Sequence, residues 1–230
     1  MIRISMYLAL CLAAFASRSV AAPIYQIDID STTVNATTTA PLATEPGWTS
    51  LDATAGNGSG VTIDGITFSV GSVDGSRIRV ASGLPNPNAL TGDFIFDDGA
   101  NQAVILFFGA AGSLQAGMWQ VDLWTYDSLV PTGLDPQIVG YRTNGAETIV
   151  STSVLNDPVN PAISFMFASD GASAYDVFVR DGSTFDRSRL NAVRLTYIPE
   201  PSTVVLLFVG AGCLGLTQYR RFRRRFAQAP

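Results

Sequence analysis

Between Ile24 and Ile198 apolar and polar positions alternate in short runs, broken by Gly, Asn, Asp and Pro. Alternation with a period of two puts successive side chains on opposite faces of a strand, so each run predicts a half-buried strand. Ile24–Asp30 is the first. Val61–Ile63 and Ile66–Val70 flank Asp64-Gly65, a pair that accepts the left-handed backbone of a two-residue hairpin turn. Val73 and Arg77–Val80 around Asp74-Gly75 predict a second hairpin, and Asp93–Phe96 and Gln102–Phe108 follow. In Met118–Tyr126, Trp119, Val121 and Leu123 fall on one face, with Gln120, Asp122, Trp124 and Tyr126 on the other. Ile138–Arg142, Thr148–Thr152, Ala162–Ala168, Tyr175–Arg180 and Ala192–Ile198 complete the series. Tyr175, Val177 and Val179 share a face, as do Val193, Leu195 and Tyr197. No helical period appears in this stretch. Short strands separated by turn residues predict an all-β domain, an antiparallel β-sandwich or jelly roll, over residues 22–198. Ser31–Pro46, rich in Thr, Ala and Pro, predicts a loop within it.

Composition narrows the chemistry. The chain has 230 residues, with 14 basic residues, all Arg, against 19 acidic ones, two Cys and no His. Without His there is no Ser-His-Asp triad, no Cys-His dyad and no His-ligated zinc. A net charge of −5 argues against general nucleic-acid binding, which needs a basic face. The predicted body holds 18 of the 19 acidic residues, seven Arg and no Cys. Its stability therefore rests on core burial and not on disulfides.

The ends read differently. Arg3, the apolar run Met6–Ala16 and small residues up to Ala21 have the layout of a secretory signal peptide over residues 1–21. Thr203–Tyr219 is a run of 17 uncharged residues, about 25 Å as a helix and near the short limit for a membrane span. No polar stripe interrupts Val204–Val209, as a soluble core helix would require. Arg220, Arg221, Arg223, Arg224 and Arg225 open the tail 220–230, and a basic cluster beside a span stays cytoplasmic. Pro199, Glu200 and Pro201 precede the span and hold the chain extended.

Pro-Glu-Pro, a short apolar Gly-containing span and an Arg cluster, in that order and paired with a signal peptide, resemble the PEP-CTERM sorting signal. The resemblance implies recognition and cutting near Pro199–Pro201 by an exosortase, a membrane enzyme of exopolysaccharide-producing Gram-negative bacteria. It implies export across the inner membrane, transient anchoring there, and delivery to the cell surface or extracellular matrix, where exopolysaccharide is the expected neighbour. Within the body, Pro46–Ser50, Asp74–Val80, Leu90–Phe96 and Gly117–Trp124 are similar to blocks of galactose-binding-like jelly rolls, which implies fold and no particular ligand.

Candidate chemistry in the body is sparse. Glu45 and Glu147 are its only Glu, and no spacing marks the facing carboxylates of a glycosidase, so catalysis is not expected. No cofactor is expected beyond structural calcium, for which Asp97, Asp98 and Asn101 form the densest acidic turn and Asp28 with Asp30 a second. Sugar recognition would use an aromatic platform, for which Trp124, Tyr126 and Asp127 at one strand end are candidates and Trp48 an alternative. The bland reading of the same rings is that they fill the sandwich core. Arg77, Arg79, Arg187 and Arg189 read as surface charges. The expected function is a non-catalytic structural or adhesive surface protein, with a carbohydrate-binding module and a polysaccharide hydrolase as alternatives.

Overall fold

The computed structural model describes residues 22–30, 44–54, 57–71, 73–78, 89–98, 102–127, 136–153, 157, 159–182 and 188–199. The expected signal peptide, the span, the Arg cluster from Arg220 to Arg225, Glu200, Pro201, Asn101, Arg79, Arg187 and most of the Thr-rich loop lie outside these residues.

The described residues form a β-sandwich. A five-stranded sheet contains β11 (Ile163–Ser169), β8 (Gly117–Trp124), β14 (Ala192–Ile198), β1 (Ile24–Asp30) and β2 (Thr49–Asp52), in that spatial order. A six-stranded sheet contains β10 (Ala146–Ser153), β9 (Gln137–Thr143), β12 (Tyr175–Asp181), β7 (Ala103–Phe108), β4 (Ile66–Gly71) and β3 (Gly60–Ile63). A three-stranded sheet contains β13 (Ser188–Leu190), β6 (Asp93–Asp97) and β5 (Gly75–Ile78), and a single helical turn α1 (Ala89–Gly92) leads directly into β6. Among the described residues all strand pairs are antiparallel except β1 with β2, which the antiparallel expectation did not anticipate.

The period-two pattern is realised directly. Trp119, Val121 and Leu123 of β8, Tyr175, Val177 and Val179 of β12, and Val193 and Leu195 of β14 all enter one core, with Tyr197 packed against it. An aromatic seam joins the two large sheets: Tyr25 lies 5.2 Å from Phe68, Phe68 6.0 Å from Phe108, Phe108 6.5 Å from Phe167 and Phe167 5.2 Å from Tyr175. Trp119, buried among them, donates its indole N–H to Gln115 O at 3.0 Å, so its one polar atom is satisfied.

Asp64 and Gly65 take φ of +50° and +83°, as the β3–β4 hairpin requires. Asn144 and Gly145 do the same between β9 and β10, at +51° and +85°. The second expected hairpin does not form. Asp74 precedes β5, which pairs with β6, and Gly75 sits opposite Phe96, whose ring would lie 3.0 Å from a Cβ there. The glycine at 75 makes room for a ring instead of a turn.

On the outer face of the five-stranded sheet, buried Asp122 collects three neighbours. Ser164 Oγ donates to it at 2.5 Å, Gln120 Nε2 at 3.0 Å, and Arg194 through Nε at 2.8 Å and Nη2 at 2.7 Å. Burial, the largest single influence, pushes this carboxyl up, but the bonds from Ser164, Gln120 and Arg194 together hold it below the usual carboxylate range. A carboxylate lowered on folding stabilises the fold above its unfolded pKa and loses that contribution as pH falls through its folded value. Asp122→Asn is expected to cost about 1–3 kcal/mol at pH 7. The gap to wild type should narrow below about pH 4, where the unfolded carboxylate begins to protonate. Urea melts across pH check this; a gap independent of pH would exclude the charge as its origin.

Candidate functional site

Because Tyr25, Ile27 and Ile29 of β1 point into the core, Asp28 and Asp30 share its other face. That face is covered where β1 passes β6. The segment after the loop donates to both carboxylates: Glu45 N to Asp28 Oδ2 at 2.7 Å and Thr44 Oγ1 to Asp30 Oδ2 at 2.8 Å. Asp93, the first residue of β6, completes the group, and one carboxylate oxygen from each Asp lies within 4.8 Å of the others. Asp28 and Asp93 are fully buried and Asp30 partly so. Oδ1 of Asp28 and Oδ1 of Asp30 are buried without a hydrogen-bond partner. Burial pushes the Asp28 carboxyl up to about 7; the Glu45 N–H opposes the rise, and the charges of Asp30 and Glu45 add to it.

Asn191, fully buried between β13 and β14, positions these pieces. Its Nδ2 donates to Asp93 O at 2.7 Å and to Tyr126 O at 3.2 Å, and its Oδ1 accepts from Tyr126 N at 2.6 Å. Its backbone N donates to Trp124 O, and its carbonyl accepts from Ile29 N, between the two β1 aspartates, each at 2.9 Å. Sequence reading paired Asp28 with Asp30 but missed Asp93 and Asn191. The one available signal was Asp-x-Asp on the non-core face of a strand. The third acid and the amide come from distant parts of the chain.

Of the expected acidic turn, Asp97 and Asp98 are described and Asn101 is not. Asp97 is buried at the end of β6, and Gln102, with its amide nitrogen turned toward it, reaches Oδ2 and Oδ1 at 3.1 and 3.3 Å. Asp98 is exposed, and its N–H donates to Asp74 Oδ2 at 2.9 Å.

The expected aromatic platform is covered. Trp124, Tyr126 and Asp127 are 4%, 3% and 2% exposed. Trp124 packs with Leu90, Ala192 and partly buried Trp48, whose ring meets it edge-on at 5.0 Å, and the Arg194 guanidinium lies 5.7 Å from its centre. The core reading of these rings is the one their burial supports. Arg189, read as a surface charge, is likewise buried, because β13 lies against the sandwich.

An exposed ring does occur elsewhere. On the outer face of the six-stranded sheet the registers align Ser69, Phe107, Asp176, Arg142 and Glu147 in one row across five strands. Phe107 is 36% exposed, and Gly71, next to it on the adjacent strand, leaves the space its ring occupies. Arg142 Nε donates to Asp176 Oδ1 at 2.6 Å with its guanidinium 5.9 Å from the Phe107 ring centre, and Arg180 pairs with Glu147 at 3.1 Å. Burial outweighs Arg142 and leaves the Asp176 carboxyl above its ordinary value.

No protein-family model and no curated protein matches the chain. Among solved structures it is similar to CBM35 from Paenibacillus barcinonensis, 10% identical over 56% of this chain and 98% of that one, with a TM-score of 0.34. CBM29_1, a family 29 carbohydrate-binding module from Piromyces equi, is 10% identical over 77% of this chain and 92% of that one, with a TM-score of 0.36. The ANX2 ectodomain from Arabidopsis thaliana is 9% identical over 78% of this chain, with a TM-score of 0.42, and the match spans 52% of that protein. Likenesses at this level define neither a shared ligand nor a shared activity.

Removing the Asn191 side chain strands two buried acceptors and one buried donor. Asn191→Ala is expected to lower stability by about 2–4 kcal/mol. Asn191→Asp should recover little of it, because it keeps the acceptor and loses the donors. Denaturant melts of the two variants decide; full stability of Asn191→Asp would remove the donor role.

Proposed function

We propose that the chain is an exported, non-catalytic surface protein, sorted through Pro199–Pro201, with the β-sandwich as its delivered body. The observation that carries this reading is where the last described strand ends. β14, the central strand of its sheet, ends at Ile198, one residue before the motif, so a cut there removes none of the described strands. At the other end β1 begins at Ile24 opposite Thr196, and Tyr197 N donates to Pro23 O at 3.0 Å. Both end segments thus leave the body side by side at one pole, as suits a precursor whose two ends engage the same membrane. Export leaves the body outside, the 203–219 helix holds it with the Arg cluster inside, and an exosortase acts at the motif. A hydrolase reading gains nothing from the Asp28–Asp30–Asp93 group, whose burial offers no cleft to a glycosidic bond.

Replacing Pro199, Glu200 and Pro201 together by Ala should leave the protein in the membrane fraction at full length, read by intact mass in the native host. Processing at an unchanged position would overturn the sorting reading.

A second reading, carbohydrate binding, is favoured by the Phe107 row. The apolar face of a pyranose stacks on an exposed ring, and fixed Arg–carboxylate pairs beside it offer hydrogen bonds to hydroxyl groups. On this reading the body adheres to exopolysaccharide through the outer face of the six-stranded sheet. Phe107→Ala should weaken binding to the host exopolysaccharide about tenfold with little change in melting temperature. Undiminished binding by that variant would rule this face out.

A further inference from the structure

We propose that Asp28, Asp30 and Asp93 bind one calcium ion, and that the ion fastens the first strand to the three-stranded sheet.

Three observations carry this inference, which stands apart from both sorting and sugar binding. The first is the donor set: three carboxylates from two strands, with oxygens within 4.8 Å of one another. Calcium takes carboxylate oxygens at about 2.3–2.6 Å in flexible geometry, so carboxylates gathered this closely are a donor set it accepts. Magnesium demands near-ideal octahedral geometry at about 2.0–2.1 Å and keeps several waters that a covered site does not readily hold. The second is the orphaned oxygen. Asp28 is 0% exposed, one of its oxygens is occupied by Glu45 N, and Oδ1 has no hydrogen bond. Oδ1 of Asp30 is buried in the same condition. A buried carboxylate oxygen without a donor is costly, and coordination to a cation removes that cost. The third is topology. Asp28 and Asp30 belong to the five-stranded sheet and Asp93 to the three-stranded one, while Thr44 and Glu45 tie in the segment ahead of β2. One ion would therefore hold three stretches of chain that are distant in sequence. Without an ion the same stretches bring carboxylates together in a covered space. Calcium, abundant outside cells and scarce within them, would complete this junction after export.

The test uses the full chain in detergent, stripped with a chelator and then titrated with CaCl2 or MgCl2 by calorimetry and thermal melting. The expected result is one calcium per chain with a Kd of about 10⁻⁴ M or tighter. At a hundredfold excess over that Kd the melting temperature should rise by about 5–10 °C. Magnesium should bind at least about tenfold more weakly. Asp93→Asn, similar in shape, should lose most of the calcium-induced rise. Absence of both stoichiometric heat and a melting shift in the wild type would overturn the proposal, whatever the variants do. A calcium response in both Asp93→Asn and Asp28→Asn as large as that of wild type would also overturn it, because the ion would then sit elsewhere. A stripped Asp28→Asn melting above stripped wild type, with wild type indifferent to calcium, would assign the group to a shared proton instead.

Discussion

Asn191 has a fully buried side chain, yet its amide and backbone groups are all engaged, and the rest of the domain is arranged around that fact. A carboxamide is the compact side chain that offers an acceptor and two donors at once. Here the acceptor fixes the chain leaving β8, and the donors fix that same chain and the start of β6. The backbone of the same residue holds β1 and the end of β8. One residue thus sets the relative position of the five-stranded sheet and the three-stranded sheet, and Asp28, Asp30 and Asp93 converge because it does. In a low-dielectric interior such a network is strong only when every member is satisfied, so the position tolerates little substitution.

The two large sheets divide their labour by face. Inward, aromatic rings in contact from Tyr25 to Tyr175 form an apolar layer. Outward, charged residues appear in cross-strand rows and not scattered: Ser164, Asp122 and Arg194 on one sheet, Asp176, Arg142 and Glu147 on the other. Direct opposition across antiparallel strands is the geometry in which opposite charges reinforce pairing, so these rows help fix register as well as present polar surface.

Much of this was legible in the sequence where the information is local. Asp64-Gly65 announced its hairpin because two consecutive positive φ angles demand such a pair, and the alternation around Trp119, Val177 and Val193 grouped the residues that share the core face. Asp74-Gly75 carries the same signature and does something else, because a strand that pairs with a distant partner uses glycine to accommodate Phe96. The short strands β2 and β13 left no periodic trace. Trp124 shows the limit of reading faces from alternation. Its face was assigned correctly as the one opposite Trp119, but a second apolar cluster with Leu90 and Trp48 covers that face. Phe107 went unremarked as a surface ring because it sits in an apolar run, where only the register places it beside Asp176 and Arg142.

The adjacency of the first and last strands has a mechanical consequence. β14 lies between β1 and β8, antiparallel to both, and the chain leaves it at Pro199. Ladder hydrogen bonds run across the strands. A pull applied at Pro199 along the strand therefore loads both ladders in shear, all bonds sharing the force, instead of peeling them one by one. The point where the body would be tethered is also the point where its sheet is hardest to draw out, so tension on the tether is met by the centre of the fold and not by an edge.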